Sequence, residues 1–204
     1  MYINSLELSH YRNYDALSIS FEPGITILYG DNAQGKTNIL EAIYMAGTTK
    51  SHRGTKDRDV IQFGEEEAHI RLNLSKYEVS HRIDMHLKKN KTKGVAVDGQ
   101  SIRKSGELFG MIHIIFFSPE DLSIIKNGPA ERRRFMNLEL CQLNKVYYYN
   151  YMNYNKALNQ RNTLLKQIAF QPSLKDTLDM WDMYLIEYGT HLIKERENFI
   201  QELN

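Results

Sequence analysis

Eight consecutive residues declare a chemistry: Gly30-Asp31-Asn32-Ala33-Gln34-Gly35-Lys36-Thr37. They fit G-x-x-x-x-G-K-[ST], the spacing of a phosphate-binding loop, without a mismatch. Such a loop turns tightly so that successive backbone N–H groups converge on phosphate oxygens. Gly30 and Gly35 permit backbone angles and close approaches denied to residues with a Cβ. A helix starting near Thr37 would aim its unpaired N–H groups at the same anion. Lys36 adds an ammonium for the β- and γ-phosphates, and Thr37 offers a hydroxyl to Mg²⁺. The chemistry to expect is binding of a nucleoside triphosphate with Mg²⁺. Hydrolysis makes a further demand, a strand ending in an acid that holds the metal. The nearest approach is Ile114 to Phe117 followed by Ser118-Pro119-Glu120-Asp121. Its carboxylates fall beyond a proline, where their simpler role is to stabilise a helix N-terminus.

The loop needs a strand before it and a helix after it. Ile25-Thr26-Ile27-Leu28-Tyr29 is a nearly continuous apolar run, which suits a strand covered on both faces. Ile39, Leu40, Ile43 and Tyr44 follow at helical spacing. Ahead of the loop, Ile3, Leu6 and Leu8, then Leu17, Ile19 and Phe21, alternate with polar residues as half-buried strands do. Beyond it, Ile70, Leu72 and Leu74, then Ile83, Met85 and Leu87, then Val95 and Val97, predict an antiparallel meander with short connections. Met111 to Phe117 reads as one more buried strand, closed by the helix opening at Ser118-Pro119.

After Pro129 the pattern becomes helical. Neither Gly nor Pro interrupts Ala130 to Gln171, which predicts one long helix ended by Gln171-Pro172-Ser173. Leu174, Leu178, Trp181, Leu185, Tyr188, Leu192 and Phe199 then mark a heptad seam lacking only its Glu195 position. Two such helices should form an antiparallel hairpin. The pattern is still running at Asn204, as expected of a piece cut from a longer protein. The predicted organisation is residues 1–128 as part of a P-loop head and 129–204 as an incomplete helical hairpin.

The whole chain is 204 residues with 42% apolar and 25% charged residues, ordinary for a folded soluble protein. A formal charge of +1 means that any nucleic-acid surface must be local. One cysteine, Cys141, excludes an internal disulfide framework and any multi-cysteine metal site. No apolar run is long enough to span a bilayer, and Met1-Tyr2-Ile3-Asn4-Ser5 lacks the basic lead and apolar block of a signal peptide. The expected compartment is the cytoplasm.

Local charge gathers at Lys88, Lys89, Lys91 and Lys93 on a predicted hairpin tip, and at His52 and Arg53 beside Lys50, Lys56 and Arg58. These are the candidate DNA contacts, since phosphate binding through counterion release needs only local positive charge. Arg132, Arg133 and Arg134 wrap around a helix start and cannot all face one ligand. Tyr147, Tyr148, Tyr149, Tyr151 and Tyr154 are expected to pack the helices, and Cys141 to act as a small core hydrophobe. His69, His81, His86 and His113 show no ligand spacing with a Cys or acid.

Several of these stretches together resemble the RecF family of bacterial recombination mediators. They are Leu6-Glu7-Leu8-Ser9-His10-Tyr11-Arg12-Asn13-Tyr14, the loop continued through Asn38-Ile39-Leu40-Glu41-Ala42-Ile43, Ser51-His52-Arg53, Phe117 to Leu122, and Gly128 to Phe135. The resemblance runs the length of the chain in order. It implies an α/β fold: an ABC-ATPase-like head, related to those of SMC proteins, with a mixed sheet and antiparallel meander, plus the helical hairpin. It implies ATP and Mg²⁺ as ligands and dimerisation on ATP. It also implies binding of single-stranded, gapped or junction DNA, and repair of gaps and stalled forks with RecO and RecR. By the same resemblance Asn32 contacts phosphate, Arg12 and Asn13 lie near the nucleotide, and Glu120 and Asp121 occupy the Q-loop position that senses the γ-phosphate. The family's signature sequence, Walker B acids and switch His lie in a later part of its members, so this chain is expected to bind ATP weakly and not turn it over. The loop alone also permits a small-molecule kinase, a GTPase-like enzyme, or a helical interaction module with a vestigial loop. No Asn-Lys-x-Asp base-reading motif supports the GTPase.

Overall fold

The computed structural model describes residues 1–118, 123–126 and 128–203. They divide into two compact units, Met1–Phe116 and Phe117–Asn204, a boundary some residues earlier than the composition change suggests. Glu120 and Asp121 lie outside the described residues.

The first unit is built on a six-stranded sheet in the order β2-β1-β3-β4-β5-β6. Its strands are β1 (Tyr2–Tyr11), β2 (Tyr14–Ser20), β3 (Glu67–Lys76), β4 (Val79–Lys88), β5 (Gly94–Val97) and β6 (Gln100–Ser101). All neighbours pair antiparallel. Register follows from the apolar alternation. Leu6 pairs with Leu72, Leu8 with Ile70, Ile70 with Met85 and Leu72 with Ile83, so one face is continuously apolar. Helix α1 (Lys36–Thr48) covers that face with Ile39, Ala42, Met45 and Ala46. The opposite face is polar and laced with ion pairs. Arg71 Nε lies 2.7 Å from Asp84 Oδ1, Arg82 Nε 2.8 Å from Asp84 Oδ2, and Arg71 Nη1 3.4 Å from Glu7 Oε2. An antiparallel sheet tolerates such a solvated face; an all-parallel one is normally covered on both.

Two expected strands are not in this sheet. Ile25 to Tyr29 lies outside the six strands, with Ile25 95% and Tyr29 91% exposed. Met111 to Phe117 carries an isolated parallel bridge, Phe109 to Ile112, and is otherwise outside the strands too. The mixed part of the expected sheet is therefore not formed among the described residues. An apolar run becomes a strand only when a neighbouring backbone meets its N–H and C=O groups. Alternation survives in the second segment nonetheless. Ile112, Ile114 and Phe116 turn inward while Ile115 and Phe117 are exposed. The segment packs so closely on α1 that a Cβ at Gly47 would lie 2.3 Å from Ile114 Cδ1.

The second unit holds α2 (Ser123–Lys126), α3 (Pro129–Leu143), α4 (Lys145–Ile168) and α5 (Leu178–Leu203). The long helix expected from Ala130 to Gln171 is broken at Asn144. This residue leaves helical geometry (φ −134°, ψ 107°), and its Oδ1 accepts from the N–H groups of Val146 and Tyr147. Asparagine competes for backbone donors and so starts helices as readily as glycine or proline ends them. Helices α4 and α5 are antiparallel: Asn144 meets Glu195, Tyr149 meets Tyr188, and Arg161 meets Asp182. Every seam position from Leu178 to Phe199 on α5 is at least half-buried, with Leu192 the deepest. Cys141 is buried on α3, which pushes its thiol up to about 12 and leaves it an inert hydrophobe.

Candidate nucleotide-binding site

The loop Gly30–Gly35 leads directly into α1, whose first residues are Lys36 and Thr37. Gly35 has φ 96°, a left-handed angle that side chains resist. A Cβ there would also lie 2.6 Å from Tyr14 Oη and 2.7 Å from Asn13 Oδ1. The angle requires glycine here, as φ 137° does at Gly30, and a Cβ at position 35 would in addition push aside the ends of the Tyr14 and Asn13 side chains. Lys36 Nζ donates to the carbonyls of Gly30 at 2.7 Å and Asp31 at 2.5 Å. The ammonium therefore caps the loop's own acceptors and stands where an anion would need it. Asp31, Asn32, Ala33, Gln34 and Thr37 are exposed.

Arg12 and Asn13 are the two-residue turn between β1 and β2, with Arg12 at φ 56°. That turn stitches the hairpin to the loop. Asn13 Nδ2 reaches the Gln34 carbonyl at 3.4 Å, Tyr14 Oη donates to it at 3.2 Å, and Asn38 Nδ2 donates to Asn13 Oδ1 at 2.8 Å. Arg53 Nη1 extends the chain to Asn38 Oδ1 at 3.4 Å.

Arg12 itself is held by a residue to which the sequence reading gave no role. Glu41, fully buried on α1, accepts from Arg12 Nε at 2.9 Å and Nη2 at 2.7 Å. Ser51 Oγ donates to the same carboxylate at 2.5 Å, and Arg53 Nη1 stands 3.8 Å away. Arg12 is further tied to the Asp59 carbonyl and to Thr55 Oγ1. Burial alone would raise the Glu41 carboxyl; the hydrogen bonds from Arg12 and Ser51, with the charges of Arg12 and Arg53, outweigh it and hold the group below the usual carboxylate range. The signal was available: an acid spaced four and seven residues from Met45 and Thr48 on a buried helix face.

His52 packs its ring against Phe116 (centroids 4.1 Å apart) and edge-on to Tyr44. Of the lysine group, Lys88 pairs with Glu67 at 3.2 Å and Lys89 with Glu66 at 3.0 Å. Lys93 pairs with Asp57 at 2.9 Å and also caps the Thr49 carbonyl. Lys91 is exposed. The tip is therefore less positive than four lysines suggest. Arg53 is likewise engaged, with Glu41 at 3.8 Å and Asn38 at 3.4 Å.

Sheet, helix and loop together define the first part of a P-loop ATPase head. A family model described as an AAA domain matches residues 5–204. The chain is 63% identical over 204 residues to the DNA replication and repair protein RecF of Lachnoclostridium phytofermentans, covering 100% of this chain and 57% of the relative. It is 62% identical over 206 residues to RecF of Lachnospira eligens, again covering 100% and 57%. A solved structure of the recombination mediator protein RecF with ATP, from the RecFOR pathway, superposes with a TM-score of 0.94 at 35% identity, covering 99% of this chain and 54% of that one. A structure from work on SMC ATPases shares the fold alone, with a TM-score of 0.55 at 22% identity over 68% of this chain and 99% of the other. The chain belongs to this AAA-domain family and within it to the RecF DNA replication and repair proteins, corresponding to their N-terminal portion. It spans a little over half the length of the curated relatives it matches.

Proposed function

We propose that this chain is the nucleotide-gripping part of a RecF-type, ATP-dependent DNA-binding switch. The observation that carries the reading is the intact loop Gly30–Thr37, pinned from the β1–β2 turn through Asn13, Tyr14 and Asn38. The residues fit a triphosphate: Lys36 already occupies acceptors that a phosphate oxygen would replace, and Gly35 leaves room at the closest approach. Backbone N–H groups of the loop and of the start of α1 would hold the phosphates, with the Lys36 ammonium beside them and the Thr37 hydroxyl available to Mg²⁺, which would supply neutralisation of phosphate charge. Asn32 adds a phosphate contact, and Arg12 and Asn13 border the nucleotide. Glu120 and Asp121 couple it to the helical part. The solved relative with ATP supports this reading.

In the whole protein, ATP draws two heads together, and the dimer binds single-stranded, gapped or junction DNA. Together with RecO- and RecR-type partners it helps load recombinase in the cytoplasm. Lys91, Arg53 and His52 are the first DNA contacts to test, with Lys88, Lys89 and Lys93 contributing once released from their acids. Calorimetric titration of Mg-ATP, paired with retention on immobilised gapped DNA, tests both halves. Lys36→Ala removes charge-assisted contacts of about 1.5–3 kcal/mol, so ATP affinity should fall about tenfold to a hundredfold. Absence of heat in the wild type, or heat indifferent to Lys36, defeats the nucleotide reading. DNA retention indifferent to ATP favours an interaction module instead.

A further inference from the structure

The polar face of the sheet holds a second cluster, on β3 and β4. Glu67 and His69 stand two residues apart on β3, and His86 is the direct cross-strand partner of His69. The two imidazoles stack with centroids 4.0 Å apart and planes 22° apart. His86 Nε2 lies 3.0 Å from Glu67 Oε2, and His69 Nε2 lies 4.0 Å from Glu67 Oε1. One ligand atom from each of the three residues falls within 4.8 Å of the other two.

We propose that Glu67, His69 and His86 form a binding site for a divalent transition metal of the Zn²⁺ class, separate from the Mg²⁺ of the nucleotide loop. Zinc takes imidazole nitrogen and carboxylate oxygen at about 2.0–2.2 Å, which places neighbouring ligand atoms of a tetrahedral site about 3.4 Å apart. The two imidazole–carboxylate separations, one to each Glu67 oxygen, fall either side of that value, the ligand atoms lie within 4.8 Å of one another, and all three side chains are 34–50% exposed, so side-chain rotation can close the set. Two imidazoles select against Mg²⁺ and Ca²⁺, which prefer oxygen ligands. The backbone supplies the rigidity. A directly opposed pair on adjacent strands, plus its neighbour two residues along, keeps three donors on one face without relying on a loop. Lys88 Nζ, 3.2 Å from Glu67 Oε2, is the competing cation that an incoming metal displaces. Three protein ligands leave a fourth position for water or for a partner's side chain.

Titrating Co²⁺, a spectroscopic stand-in for Zn²⁺, into the 204-residue chain tests the site. The expected result is a saturable visible absorption band for a single site, abolished by added Zn²⁺ and unaffected by excess Mg²⁺. His69→Gln, His86→Gln and Glu67→Gln should each weaken binding by at least the roughly tenfold that loss of even an outer-shell partner costs. His81→Gln, on the same strand as His86, should not. In the unsubstituted chain Co²⁺ should broaden the ring-proton signals of His69 and His86 first, a readout independent of whether any variant folds. No saturable band, a band that survives loss of both histidines, or broadening centred on other histidines would each overturn the proposal.

Discussion

Glu41 shows how one buried carboxylate can organise several functional side chains. It faces no solvent and holds Arg12 by two hydrogen bonds while accepting from Ser51, so the turn beside the phosphate loop and the Ser51–Arg53 segment share one anchor. Removing its charge leaves the guanidinium of Arg12 without its counter-ion. Breaking a buried pair this way costs about 3 kcal/mol, toward the low end of the usual range because Arg12 keeps some exposure. Glu41→Gln should therefore lower the urea midpoint without changing the slope of the transition. The pH dependence has a definite sign. Because the folded-state value lies below the unfolded one, Glu41 stabilises the fold fully above the ordinary carboxylate pKa of about 4.3 and ceases to as pH falls through the folded value. Acid titration of stability should show a shallower decline in Glu41→Gln than in the wild type. A parallel decline would mean that other carboxylates carry the acid sensitivity.

Among the elements, the helix break at Asn144 matters most. Its side chain satisfies two N–H groups at the start of α4 and donates to Glu195 on α5, so it sets both where one helix ends and how the antiparallel pair is aligned. Asn144→Ala should cost about 1 kcal/mol, the usual value of a lost N-cap, while Asn144→Ser, which keeps a cap acceptor without setting a second charge beside Glu195, retains most of it. Thermal melting followed by circular dichroism distinguishes the two. Asparagine in a run otherwise free of Gly and Pro is a weak breaker on paper, because its preference for a cap is decided by whether a tertiary partner also rewards the break. The meander shows the opposite case. Strict alternation at Ile70, Leu72, Leu74, Ile83, Met85 and Leu87 left one register that buries all six of these side chains, and β3 and β4 adopt it.

For the whole molecule, the informative surface is the apolar one beside the phosphate loop. Ile25, Ile27 and Tyr29 are exposed although their sequence reads as a buried strand. Large exposed apolar side chains in one short segment mark an interaction surface or a site of self-association. The chain should accordingly bind the hydrophobic dye ANS at neutral pH while its sheet remains folded. Ile27→Lys should reduce that fluorescence without shifting the melting temperature, since the side chain packs against little. An unchanged signal would place the dye elsewhere.

The residue pattern alone was enough for the phosphate loop, the meander and the α5 seam, because each is a local spacing tied to a local geometry: a tight turn before a helix, a period of two, a period of three and a half. Only the tertiary structure could decide that Glu41 anchors Arg12, that three of the four tip lysines are paired with acids, that Ile25 to Tyr29 stays outside the sheet, and that Glu67, His69 and His86 converge. Those outcomes depend on which strand lies beside which, and the β3–β4 register brings together residues 19 apart in the chain that no spacing rule along one strand would connect. Short-range order is written in periodicity; charge pairing and ligand geometry are written in contacts across elements.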